Sequence, residues 1–176
     1  MTSLATTAGT HTTTPTWASA SQQPPVPRSR RAPRRLLTEP KLVPLTLAES
    51  ALIIEVGAEE PAWFYSTLSG LQHLSQLGDN WDSYGSRPPH DDVIITALDL
   101  IARLLSYDST PPAIVPTSEG GVQLEWHRDG HELEIRVRAN GEISAFRFDE
   151  AAGQGATVER ISLSDLGPLV ALTGRL

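Results

Sequence analysis

Residues 121–148 read GVQLEWHRDGHELEIRVRANGEISAFRF, and their alternation decides the fold. Apolar residues recur at every second position, the period of a strand with one buried face. Asp129-Gly130 and Asn140-Gly141 interrupt the pattern. Such dipeptides favour two-residue hairpin turns, because both central residues of a type I′ turn need positive φ. A two-residue turn at Asp129-Gly130 sets Trp126 opposite Leu133, Leu124 opposite Ile135 and Val122 opposite Val137. A three-residue turn there would set Trp126 opposite Glu132 and lose the match. A two-residue turn at Asn140-Gly141 sets Val137 opposite Ser144, Ile135 opposite Phe146 and Leu133 opposite Phe148. The stretch therefore predicts a three-stranded antiparallel meander with its apolar residues on one face.

The other face then carries Gln123, Glu125 and His127 opposite Arg136, Glu134 and Glu132, with Arg147 across from Glu134. Glu125 and Glu134 directly opposite each other repel unless Arg136 or Arg147 bridges them. Paired carboxylates can do hydrolytic chemistry. A flat solvated strand face offers no pocket for it, and alternating charge on short strands ordinarily means contact with water.

Working outward, residues 61–77 predict a helix: Phe64, Leu68, Leu71, Leu74 and Leu77 form one stripe, Pro61 suits the first turn and Gly78 the stop. Residues 91–106 predict a second helix. Ile94, Ala97, Leu98, Ile101, Leu104 and Leu105 share a face, and Asp91 and Asp92 suit its positive end. Both helices should cover the buried sheet face. "PPAIVPTSEGG" (111–121) adds a short strand at Ile114–Thr117 before a Gly120-Gly121 turn. Residues 151–157 read as a loop, and "SLSDLGPLVAL" (162–172) as a helix capped by Ser162 or Ser164. In residues 36–57, Pro40 and Pro44 break any early helix. "TLAESALIIEV" (46–56) fits a short helix or an edge strand, and the helix is preferred. The expected fold is α+β: a three- to four-stranded antiparallel meander packed on two to three helices, with residues 36–176 as a single domain.

Residues 1–35 are rich in Thr, Ser, Ala, Gln and Pro without apolar periodicity and read as a disordered tail. The tail ends in a basic cluster, Arg28, Arg30, Arg31, Arg34 and Arg35. With Lys41 and against Glu39 alone, these give residues 1–41 a charge of +5, so the remainder carries −12 of the net −7. An acidic body is not that of a typical nucleic-acid-binding domain. Only the arm suits phosphate, and it could equally solubilise the chain, rest on the acidic body or serve as a transit peptide. The absence of cysteine excludes disulfides, thiolate zinc sites and a Cys nucleophile. No apolar run long enough to span a bilayer and no secretory signal are read, so no membrane partner and a cytoplasmic location are expected.

The densest chemistry lies between the helices, in "GDNWDSYGSRPP" (78–89). Asn and Asp cap turns through their side-chain oxygens, and Trp and Tyr plug core ends with a polar handle exposed, so this is an ordinary rigid corner. The same groups, Asn80, Trp81, Asp82, Tyr84 and Arg87, also make a recognition surface. His11, His73, His90, His127 and His131 do not have the spacing of a metal site, and neither a metal nor a cofactor is expected. No P-loop, dinucleotide fingerprint, GxSxG or HExxH motif occurs.

Two motifs together, NWDxYGxxP and PTxEGGVxLEW, are fairly specific. They are carried by Asn80, Trp81, Asp82, Tyr84 and Gly85, and by Pro116, Thr117, Glu119, Gly120, Gly121, Leu124, Glu125 and Trp126. On them, residues 70–148 resemble an uncharacterised family of small bacterial proteins. Ser83 and Ser86 depart from the family's usual Gly and Ala. The resemblance implies no reaction, since the shared residues contain no nucleophile–base set. It does suggest that the two motifs meet, with Trp81, Tyr84, Glu119, Glu125 and Trp126 bordering one surface. The expected function is a small interaction or regulatory protein, antitoxin-, immunity- or accessory-like, that binds a protein partner. The alternatives are a small-ligand-binding protein or hydrolase using Asp82, Glu119 and Glu125, and a nucleic-acid-associated regulator using the arginine arm.

Overall fold

The computed structural model describes residues 39–57 and 59–173, with side chains through Val170. The tail and its five arginines lie outside the described residues. In chain order the elements are β1 (Lys41–Thr46), β2 (Ala51–Val56), α1 (Phe64–Ser75), α2 (Asp91–Leu104), β3 (Ala113–Pro116), β4 (Val122–Arg128), β5 (His131–Val137), β6 (Ile143–Asp149), β7 (Gln154–Ile161) and α3 (Gly167–Thr173). The class is α+β, with two antiparallel sheets: β1-β2, and β3-β4-β5-β6-β7 in sequence order.

The meander has its expected centre. Val122 pairs with Val137, Leu124 with Ile135 and Trp126 with Leu133, and all six are buried. Asp129 and Gly130 sit at φ 50° and 76°, the left-handed pair a two-residue turn demands. Helices α1 and α2 pack on each other; α1 lies against β3, and α2 against β4 and β5. Their stripes meet the sheet through Leu71, Ile94, Leu100 and Ile101, none of which keeps any exposure. Burying each such side chain stabilises the fold by about 1.5–3 kcal/mol.

Four expectations are corrected. The second hairpin is one residue out of the expected register: Val137 pairs with Ile143, Ile135 with Ala145 and Leu133 with Arg147. Arg138 and Glu142 close a three-residue turn, in which the Gly141 amide donates to the Arg138 carbonyl and Gly141 alone has positive φ. A type I turn ending in a left-handed glycine competes with the type I′ turn for the same dipeptide. The slip sends Ile143 and Ala145 into the core and sets Phe146 and Phe148 opposite Glu134 and Glu132, so Arg147 does not lie across from Glu134.

Residues 41–56 are a hairpin, not a helix. Pro44 denies a helix its amide hydrogen, and Val43, Ile53, Ile54 and Val56 are β-branched. Residues 154–157, read as loop, begin the fifth strand of the larger sheet, so the strands exceed the expected three to four. Gly155 serves this pairing by leaving room for a ring: a Cβ there would stand 2.9 Å from Cε2 of Phe146. The last helix is capped by Asp165, whose Oδ1 accepts from the Gly167 amide at 3.1 Å. Ser162 and Ser164 hydrogen-bond each other instead.

Asp91 does more than suit a helix end. Its carboxylate accepts from the Glu49 amide at 2.9 Å and the Ser50 hydroxyl at 2.7 Å. It thereby ties the β1–β2 turn to the start of α2.

Candidate functional site

The segment after α1 turns sharply because three of its residues adopt left-handed backbone: Asn80 at φ 61°, Ser83 at 66° and Gly85 at 91°. Side chains hold this shape. Asn80 Oδ1 accepts from the Gly85 amide at 2.7 Å. Asp82 Oδ1 accepts from the Tyr84 amide at 2.9 Å and the Ser86 amide at 3.2 Å, and Oδ2 accepts from the Ser86 hydroxyl. The Ser86 hydroxyl and then the Tyr84 amide favour the charged carboxylate and lower the pKa of Asp82. The Asn80 amide donates to the Ser86 carbonyl at 2.8 Å, and the Trp81 indole to the Arg87 carbonyl at 3.2 Å. Trp81 is half-buried and Ser86 buried. Tyr84 is 93 % exposed.

The two motifs meet, as the resemblance suggested. The Arg87 amide donates to the Ser118 carbonyl at 3.1 Å, and Arg87 bridges Glu119 in parallel. Gly120 makes this fit possible, and Gly121 lets the turn lie against β5. Gly120 has φ 82°, and a Cβ on it would stand 3.2 Å from the Pro88 carbonyl; one on Gly121 would stand 2.6 Å from the Val137 carbonyl. Thr117 completes the turn by accepting from the Gly121 amide at 2.9 Å. Asn80, Trp81, Asp82, Tyr84, Arg87 and Glu119 thus form one continuous corner.

Glu125 and Trp126 do not join it. They lie toward the far end of β4, five residues from Gly121, about 16 Å along an extended strand. Trp126 is 4 % exposed, and its indole donates to the Thr110 carbonyl at 3.0 Å. Its bulk closes the core beside a cleft of about 370 Å³ lined by Pro111, Ala113 and Glu125. The single surface bordered by both tryptophans is therefore two places.

The outer sheet face is internally satisfied. Arg136 donates to Gln123 Oε1 at 2.6 and 3.0 Å, and Gln123 passes its amide to Glu125 at 2.7 Å. Glu125 and Glu134 do stand opposite each other, and this relay through Gln123 links Glu125 to Arg136. His127 lies 3.6 Å from Glu125 and 3.8 Å from Glu132. The hollow of about 290 Å³ between corner turn and sheet includes Glu119, Arg136 and Arg138. Arg138 is paired with Glu142 and Glu159, each at 3.7 Å. Among the described residues no three His, Asp or Glu side chains converge to hold a metal ion.

Sequence reasoning found the corner residues but missed Ser86, the buried hydroxyl that orders Asp82. The signal was its spacing, four residues after a carboxylate in a turn-rich stretch. Comparison with family models, curated proteins and solved structures finds no match for this chain.

Proposed function

We propose that this protein binds a protein partner through the Asn80–Arg87 corner and the adjoining Ser118-Glu119 turn, as a small regulatory protein of antitoxin, immunity or accessory type. The observation that carries the reading is Tyr84: an aromatic ring 93 % exposed on a loop that side chains hold in one shape. An aromatic held in place before binding loses little entropy on docking, and such residues dominate interface energies. The charge of −12 on residues 42–176 suits a basic patch on the partner. The hydrolase and small-ligand readings have less support, because Arg136 and Arg138 are engaged by neighbours of their own.

The test is capture from native lysate with the wild type and Tyr84→Ala, followed by affinity measurement on the captured protein. Tyr84 contributes nothing to the core, so the variant folds. Loss of at least tenfold in affinity is expected. A partner bound equally by both forms, or none bound by either, would overturn the reading.

A further inference from the structure

The β1–β2 hairpin is a two-stranded sheet whose outer face carries an apolar patch. The register sets Leu42 opposite Glu55, Pro44 opposite Ile53 and Thr46 opposite Ala51, so these six share that face, with Leu42, Pro44 and Ile53 adjoining at its centre. Leu42 is 63 % exposed and Ile53 66 %, and both are diagonal neighbours. Two strands alone are marginal in water and gain from a third.

The two edges of this sheet differ. Helix α1 attends β1: Gln72 donates to the Thr46 carbonyl at 3.2 Å, and Lys41 hydrogen-bonds Glu60 and Tyr65. Among the described residues nothing pairs with the outer edge of β2. Its sequence, ALIIEV, has no proline and one charge, so it lacks the usual devices that keep an edge from pairing. The Leu47 amide donates to the Ser50 carbonyl at 2.8 Å, so Leu45–Leu52 and Val43–Ile54 are the hydrogen-bonded pairs, and the N–H and C=O of Ile53, opposite Pro44, are directed to that outer edge. Leu52 and Ile54, on the inner face, are only half-buried.

We infer that β2 pairs antiparallel with β2 of a second copy about a two-fold axis at Ile53, joining the hairpins into a four-stranded sheet. The strand is self-complementary in this register. Ile53 meets Ile53, Leu52 meets Ile54, and Ala51 meets Glu55, so no like charges oppose. Leu42, Pro44 and Ile53 of both copies come together on one face at the centre of the seam, with each Glu55 at its margin beside Ala51 of the other copy, and Leu52 and Ile54 gain cover on the inner face. Isologous closure also uses up the open edge, which prevents further growth.

The absence of cysteine permits a clean test on the full chain. Light scattering of the wild type is expected to give twice the 19.0 kDa of one chain. Ile53→Cys should form a reducible covalent dimer under mild oxidation, since residues across a two-fold pair lie within disulfide reach. Ile53→Asp changes a side chain that is two-thirds exposed and should give a folded monomer by circular dichroism. A wild type of single-chain mass overturns the inference, as does a dimer that Ile53→Asp leaves intact. Cross-linking by Thr157→Cys in place of Ile53→Cys would overturn it too, because the copies would then join through the exposed edge strand β7.

Discussion

Asn80 Oδ1 sits 2.7 Å from the amide nitrogen of Gly85, so one side chain spans the whole bend that carries Tyr84. Asn80 is also left-handed, a conformation asparagine tolerates better than other non-glycine residues. Asn80→Ala removes both advantages and should cost about 1–2 kcal/mol. Urea denaturation would show it as a lower midpoint with an unchanged slope.

Ser83 has the opposite defect. It holds φ 66° in an exposed position, where a Cβ is strained. Ser83→Gly should stabilise the protein by about 1 kcal/mol, a rise in Tm of about 2–4 °C for a chain of this size. Differential scanning calorimetry would detect it.

Gly121 and Gly141 predict unequal costs. A Cβ at Gly121 would stand 2.6 Å from the Val137 carbonyl and 2.8 Å from Thr117 Oγ1, whereas one at Gly141 meets nothing within 4 Å. Gly121→Ala must move β4 from β5 and should cost about 3 kcal/mol or more. Gly141→Ala bears only its positive φ, about 1 kcal/mol. Equal midpoints in chemical denaturation would contradict both assignments.

Acid should loosen the corner as Asp82 takes up its proton. The folded pKa of Asp82 is lowered by the Ser86 hydroxyl and Tyr84 amide. A depressed carboxyl stabilises the fold above its unfolded pKa, and that contribution is lost as pH falls through the folded value. Amide shifts of Tyr84 and Ser86 in an NMR titration should therefore move together, with a midpoint below the ordinary aspartate range. Asp82→Asn should abolish that transition.

What could be read from the sequence depended on whether two signals agreed. In the first hairpin, strict alternation and Asp129-Gly130 demanded the same register, and the pairs Val122–Val137 through Trp126–Leu133 follow. In residues 143–148 the apolar residues occupy both parities. The large phenylalanines suggested one register; the core takes Ile143 and Ala145 in the other, the one that the three-residue turn between Arg138 and Glu142 sets. The β1–β2 hairpin was obscured by prolines that usually mark loops. At the corner, turn chemistry identified the residues, but their separation from Trp126 depends on distance along β4, which no local pattern encodes.

The bond between the Arg87 amide and the Ser118 carbonyl has a kinetic consequence. It joins residues separated by all of α2 and β3, so the corner docks on the β3–β4 turn only when that long loop has closed. The bend around Tyr84 is set by bonds within residues 80–87, and its place against the sheet by this longer closure. A chain in which that closure has failed would carry the same bend unanchored to the β3–β4 turn.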